Sequence, residues 1–135
     1  MDIIDPYDEL YQRQMDAFEE GLSARLDAIP ALESTTRDAV LAYLLELACQ
    51  AQNVRNIVLG RTALLGLPRD WLLLNIEHYA EPLLQLGEEW EYRRLGELYA
   101  QVDNELLRRL VDRGFSSRDE AIRQAAQDLG SWLAQ

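Results

Sequence analysis

One histidine, one cysteine and a run of glutamates are the residues of this chain whose types suit chemistry. His78 has Glu77 beside it and Glu81 three residues on, so a helix would offer an imidazole and a carboxylate to a metal ion. Zinc takes four ligands and a di-iron bundle takes more, and one His with scattered acids falls short of either set. The simpler reading is a partly buried, hydrogen-bonded imidazole. Cys49 lies among Leu45, Leu47 and Ala48 with no His or Arg at helical spacing, which describes a buried, inert thiol. Being alone, it also excludes an internal disulfide and any multi-cysteine metal site. Glu88, Glu89 and Glu91 would suit general acid–base work if a cleft held two carboxylates apart. Their place at a helix start has a plainer cause, the positive end of the helix dipole. No glycine-rich phosphate loop, GxSxG or HExxH occurs. The expectation is a protein without catalytic residues, metal ligands or cofactor.

Two features remain as candidates for binding another protein. Glu9, Asp16, Glu20 and Asp27 are spaced seven, four and seven residues apart, which on one helix gives an acidic stripe able to steer a basic partner. A solvated helix face has the same pattern, and Arg13, four residues after Glu9, fits that reading by pairing with it. The second feature is aromatic. Trp71, Trp90, Tyr92, Tyr99 and Trp132 are of the types that anchor interfaces, and Trp90 and Tyr92 follow the glutamate run. Aromatic residues also fill cores, so most of the five are expected inside.

The elements that must position these residues begin with the composition. A chain of 135 residues with 48% apolar content is one domain with a real core. No apolar run approaches the roughly 20 residues that span a bilayer. The N-terminal MDIIDPYDELY is acidic where a targeting peptide is basic, so the expected location is the cytoplasm. The net charge is −11, and all 13 basic residues are Arg. Nucleic acid and anionic membranes are poor partners for such a chain, because phosphate needs clustered positive charge. Residues 1–36 hold nine of the acids and two of the Arg, which concentrates the excess at one end.

Apolar spacing predicts helices throughout. Asp5 as N-cap and Pro6 at the first position open a helix that runs to about Ile29, with Tyr7, Tyr11, Met15, Phe18, Leu22, Leu26 and Ile29 on one face. Thr35 and Asp38 resemble a capping box for a second helix, about Arg37 to Ala51, apolar on most of its circumference. A third, about Asn53 to Leu65, has Val54, Ile57, Val58, Leu64 and Leu65 inside and Gly66 as C-cap. Pro68 opens a fourth, very apolar helix that Pro82 should bend and Gly87 should stop. The fifth begins at the glutamate run, and Asp103 caps the sixth. In the last hairpin Leu106, Leu107, Leu110 and Val111 form a stripe ended by Gly114 as a left-handed cap. Ser117 and Glu120 then form a capping box for a helix carrying Ile122, Ala125, Ala126, Leu129, Trp132 and Leu133. Whether Trp132 and Leu133 pack within the chain or on a second copy is left open, hence monomer or homodimer. No β-alternation occurs, and the chain reads as all-α.

Internal repetition organises these helices. Ile122-Arg123-x-x-Ala126-x-x-Leu129 follows an apolar helix and Gly114; Tyr92-Arg93-x-x-Gly96-x-x-Tyr99 follows another and Gly87; Val54-Arg55-x-x-Val58 is a fainter third. The pattern, clearest in DEAIRQAAQDLGSWL, resembles HEAT repeats and more loosely armadillo repeats, over about residues 37–135. It departs from them in three ways: no acidic turn precedes Val54, Tyr92 stands where a branched aliphatic is usual, and the units differ in length. The resemblance implies a short α-solenoid of three helical hairpins, used for protein–protein contact and carrying no catalytic motif. Residues 1–36 would supply an amphipathic helix that caps its N-terminal end, apolar side inward. An irregular helical bundle is the competing fold. The implied function is a HEAT-like scaffold or adaptor; the alternative is an acidic inhibitor or immunity-type protein that neutralises a basic enzyme.

Overall fold

The computed structural model describes residues 5–133, and every regular element among them is helical. Seven α-helices follow in order: α1 Pro6–Phe18, α2 Ser34–Leu45, α3 Val54–Leu65, α4 Arg69–Leu83, α5 Glu89–Val102, α6 Asn104–Phe115 and α7 Glu120–Leu133. The fold is all-α.

The first helix is shorter than its apolar spacing predicts. Asp5 caps it as expected, accepting from the Tyr7 amide at 2.8 Å, but it ends at Phe18. Glu19 is extended (φ −158°, ψ 134°) and Gly21 takes φ +78°, a left-handed conformation that glycine adopts without strain. Two 3₁₀ segments follow, Leu22–Ala24 and Leu26–Ala31. An unbroken helix over residues 6–29 would be about 36 Å long, whereas α3, on which α1 packs, has only 12 residues. Breaking at Gly21 lets Leu22 and Ile29 reach the core, where both are fully buried alongside Met15. Met15, Leu22 and Ile29 hold as core positions, Tyr11, Phe18 and Leu26 pack on the core partly buried, and Tyr7 is exposed; the continuous helix does not form.

Several helix ends also differ from the sequence reading. Glu33, not Thr35, caps α2, accepting from the Thr36 amide at 3.2 Å, and Asp38 instead accepts from the Tyr79 hydroxyl at 2.8 Å. The C-terminal end of α2 widens into a π turn over Glu46–Gln50. There α3 lies directly on the backbone: a Cβ on Gly60 would stand 2.6 Å from the Ala48 nitrogen and 2.8 Å from the Leu44 oxygen. That approach turns Ile57, Gly60, Ala63 and Leu64 inward. Val54, Val58 and Leu65, expected inside, are exposed. Pro82 ends α4 within one residue instead of bending it, because the helix has no turn beyond it to carry on. Gly114 is no left-handed cap. It sits buried within α6, where a Cβ would meet the Tyr92 hydroxyl and stand 2.7 Å from the Ala126 Cβ. Helix α7 is capped by Asp119, which accepts from the Ala121 amide at 2.8 Å, while Ser117 accepts from the Asp119 amide at 3.0 Å.

One apolar core runs from Met15 to Leu129. Helices α6 and α7 share the most extensive contact, and α5 packs on the π turn, α6 and α7. Polar links join helices two apart in the chain. Asp38 and Arg37 on α2 hold Tyr79 of α4 at 2.8 and 2.9 Å. Glu77 and Glu81 of α4 pair with Arg109 and Arg113 of α6 at 2.7 and 2.5 Å. Arg61 of α3 pairs with Glu97 of α5, and Arg93 of α5 pairs with Asp128 of α7 at 2.8 Å. Consecutive α4 and α5, by contrast, have almost no close backbone approach.

Candidate functional site

A groove of about 500 Å³, open to solvent, lies between the end of the π turn and the start of α5. Its walls are Cys49, Gln50, Ala51 and Gln52 on one side and Glu88, Trp90, Glu91 and Arg94 on the other. The start of α5 decides which way these side chains face. Glu88 is its N-cap and accepts from the Trp90 and Glu91 amides at 3.1 and 2.9 Å, so it completes the helix end that carboxylates favour. Trp90 and Glu91 are adjacent, about 100° apart around the helix. Trp90 therefore points outward, 64% exposed, while Glu91 turns inward to 9%.

Arg94, one turn beyond Trp90, lies over the indole ring with its guanidinium carbon 5.1 Å from the centroid. It also pairs with Glu97 at 3.1 Å, and Glu97 receives Arg61 as well. Behind this pair, Glu91 accepts through Oε1 from the Gln50 amide at 2.6 Å and from the Gln85 backbone amide at 3.4 Å. Cys49 forms part of the wall but is only 2% exposed. Burial pushes its thiol up to about 12, with Arg61 and Arg94 acting against it and Glu91 and Glu97 with it. A thiol that stays protonated is no nucleophile.

The other candidates are scattered. His78 is exposed, not partly buried, and its side chain makes no hydrogen bond among the described residues; its ring meets Tyr79 edge-on at 5.5 Å. Its supposed companions Glu77 and Glu81 are engaged by Arg109 and Arg113. No group of three or more His, Cys, Asp or Glu side chains among the described residues converges as a metal site would require. The acidic stripe is not one face, because the chain breaks inside it. Glu9 pairs with Arg13 at 2.7 Å. Asp16 accepts from the Ser23 amide at 3.1 Å and its hydroxyl at 3.0 Å, holding the reversed chain after Gly21. Glu20 lies in the turn and Asp27 in a 3₁₀ segment, both exposed. Tyr92 is a core residue, 2% exposed, its hydroxyl donating to the Leu110 carbonyl at 2.9 Å. Of the six expected contact residues, only Trp90 lines the groove.

Glu91 was legible in the sequence, yet the helix-dipole reading passed over it. On a helix it shares a face with Leu95, Leu98 and Val102, four, seven and eleven residues on, and all three are buried. Gln50 carried no such signal, since the π turn sets its direction. Comparison with protein-family models, curated proteins and solved structures returns no match for this chain.

Proposed function

We propose that the chain is a non-catalytic protein-interaction module, a short HEAT-like stack of helical hairpins that receives a segment of another protein. The observation that carries this reading is the groove with Trp90 standing 64% exposed at its wall. A tryptophan left this open removes much apolar area from water when a partner covers it, and it is the type that dominates binding energy. The links between helices two apart support the stacked arrangement. They join α2 to α4 and α4 to α6, and separately α3 to α5 and α5 to α7, as two stacked rows of helices would, although the middle pair, α4 and α5, barely approach each other. The residues at the groove supply no activated nucleophile, which favours binding over chemistry.

The acidic-inhibitor alternative keeps its support in the net charge of −11 but no longer has a continuous acidic stripe to act through. The test is affinity purification from the native organism with the wild-type chain and with Trp90→Ala. A partner that co-purifies with wild type and is lost from a Trp90→Ala variant of unchanged melting temperature supports the module. Equal recovery by both removes the groove from the reading. Recovery of a basic enzyme that the chain inhibits would favour the alternative.

A further inference from the structure

Glu91 is a nine-tenths buried carboxylate without a cationic partner, which is an expensive arrangement for a folded protein. Its two donors, the Gln50 side-chain amide and the Gln85 backbone amide, are neutral, and both use Oε1. Oε2 accepts no hydrogen bond among the described residues. Glu91 lines the groove, which is the open space beside this carboxylate.

The nearby cations are committed elsewhere. Arg94 is spread over Trp90 and paired with Glu97, and Arg61 is paired with the same Glu97. Glu88 spends its oxygens on two backbone amides. Glu88 is thus held by the helix end and Glu97 by the two guanidiniums, and Glu91 is the carboxylate of the groove left without a positive partner on a chain already at −11. An anionic ligand is disfavoured. A donor carrying positive charge would fill the open acceptor of Glu91 with a charge-assisted bond. Beside it, the exposed part of the Trp90 ring offers a surface for the aliphatic stem of such a side chain. A volume of about 500 Å³ with an open mouth suits one long side chain with main chain running past it.

We infer that the groove recognises an arginine or lysine side chain on an exposed segment of a basic partner protein, held at Glu91 Oε2 and laid along Trp90. The inference rests on the interaction-module reading and deepens it by naming what the groove selects.

The test uses the full chain and a short, acetylated and amidated peptide with a central arginine, compared with the same peptide carrying citrulline, which keeps the shape and loses the charge. Binding is followed by the indole N–H signal of Trp90 in NMR spectra, assigned with Trp90→Phe. The arginine peptide should shift that signal saturably, and the citrulline peptide should bind about tenfold more weakly or worse. Glu91→Gln should lose the preference while melting no lower than wild type, because the buried charge is gone. Equal binding of the two peptides by wild type overturns the inference whatever the variant does, as does the absence of any Trp90 shift. N-acetylarginine amide binding as tightly as the peptide would overturn the choice of a protein segment in favour of a small cation. A natural partner lost from Trp90→Ala but retained by Glu91→Gln would leave the module standing and sink the cation.

Discussion

The α6–α7 hairpin and the segment before α2 carry the same kind of apolar spacing and fold differently. In the hairpin, Leu106, Leu107, Leu110, Val111, Ile122, Ala125, Ala126 and Leu129 are all buried on two unbroken helices. In residues 6–31, Met15, Leu22 and Ile29 are equally buried, but on a helix, a glycine turn and two 3₁₀ segments. In both regions the spacing marks side chains that go inside. It does not tell whether the backbone between them stays helical. The two glycines show why: Gly114 is needed because two helices touch there, Gly21 because the chain turns there.

The largest effect should come from Gly114→Val. The added atoms would collide with the Tyr92 hydroxyl and with Ala126, whose Cβ would be 2.7 Å away, and overpacking a site closed on both sides costs about 3 kcal/mol. Thermal or urea denaturation would measure it, and a loss much below 1 kcal/mol would mean that α6 and α7 separate easily. Gly21→Ala should cost less, about 1–2 kcal/mol, because only the φ of +78° is at issue and the nearest group, Arg25 Nε, is 3.6 Å away. An unchanged or raised melting temperature in that variant would indicate that residues 6–29 can after all form one helix.

A smaller effect sharpens the comparison through acid titration. Asp128 is held below the usual carboxylate range by the Arg93 guanidinium and next by the Gln124 amide. Glu33 is held down by the backbone amides of Thr35 and Thr36. Since folding lowers both values, the unfolded chain takes up protons first. The stabilisation is complete above the ordinary carboxylate pKa and fades as pH falls through the lowered one. Asp128→Asn and Glu33→Gln should each flatten the acid limb of a stability–pH curve. Added salt should mimic only the first, because it screens an exposed ion pair more than a cap. Equal salt response in both regions would contradict this difference.

The smallest effect is expected from Glu20→Gln and Asp27→Asn, each within about 0.5 kcal/mol of wild type; Asp16→Asn keeps an Oδ1 acceptor for Ser23 but loses the charge on it, so its cost is somewhat larger. The association rate with a captured partner should also change little, because these acids share no face. A steep fall in on-rate for the triple variant would restore the acidic segment as a docking surface.

The helix count from α2 onward, the caps by Asp5 and Asp103, which accepts from the Glu105 amide at 3.0 Å, the interior of α6, and that of α7 apart from Trp132, which is exposed, were legible because each depends on neighbours within a turn or two. Pairings such as Asp38 with Tyr79, 41 residues apart, leave no trace in local spacing. The exposed side of α3 was misread for a related reason. Val54 and Val58 fit a helical stripe as well as Ile57 does, and only the contact of Gly60 with α2 selects the buried one. In the groove, Trp90 was anticipated as a residue type and Glu91 was passed over as a helix-start acid.

By itself the sequence determined an all-α chain, part of its core, most fully in α6, and most helix starts, because backbone hydrogen bonding and the burial of one helix face are local in range. Tertiary structure alone decided where the first helix breaks, which side of α3 meets water and what surrounds Glu91. Each of these depends on a surface supplied from elsewhere in the chain. The π turn brings Gln50 to Glu91 across 41 residues, and a carboxylate that helix geometry would accept anywhere in a first turn is thereby buried at the edge of an open groove.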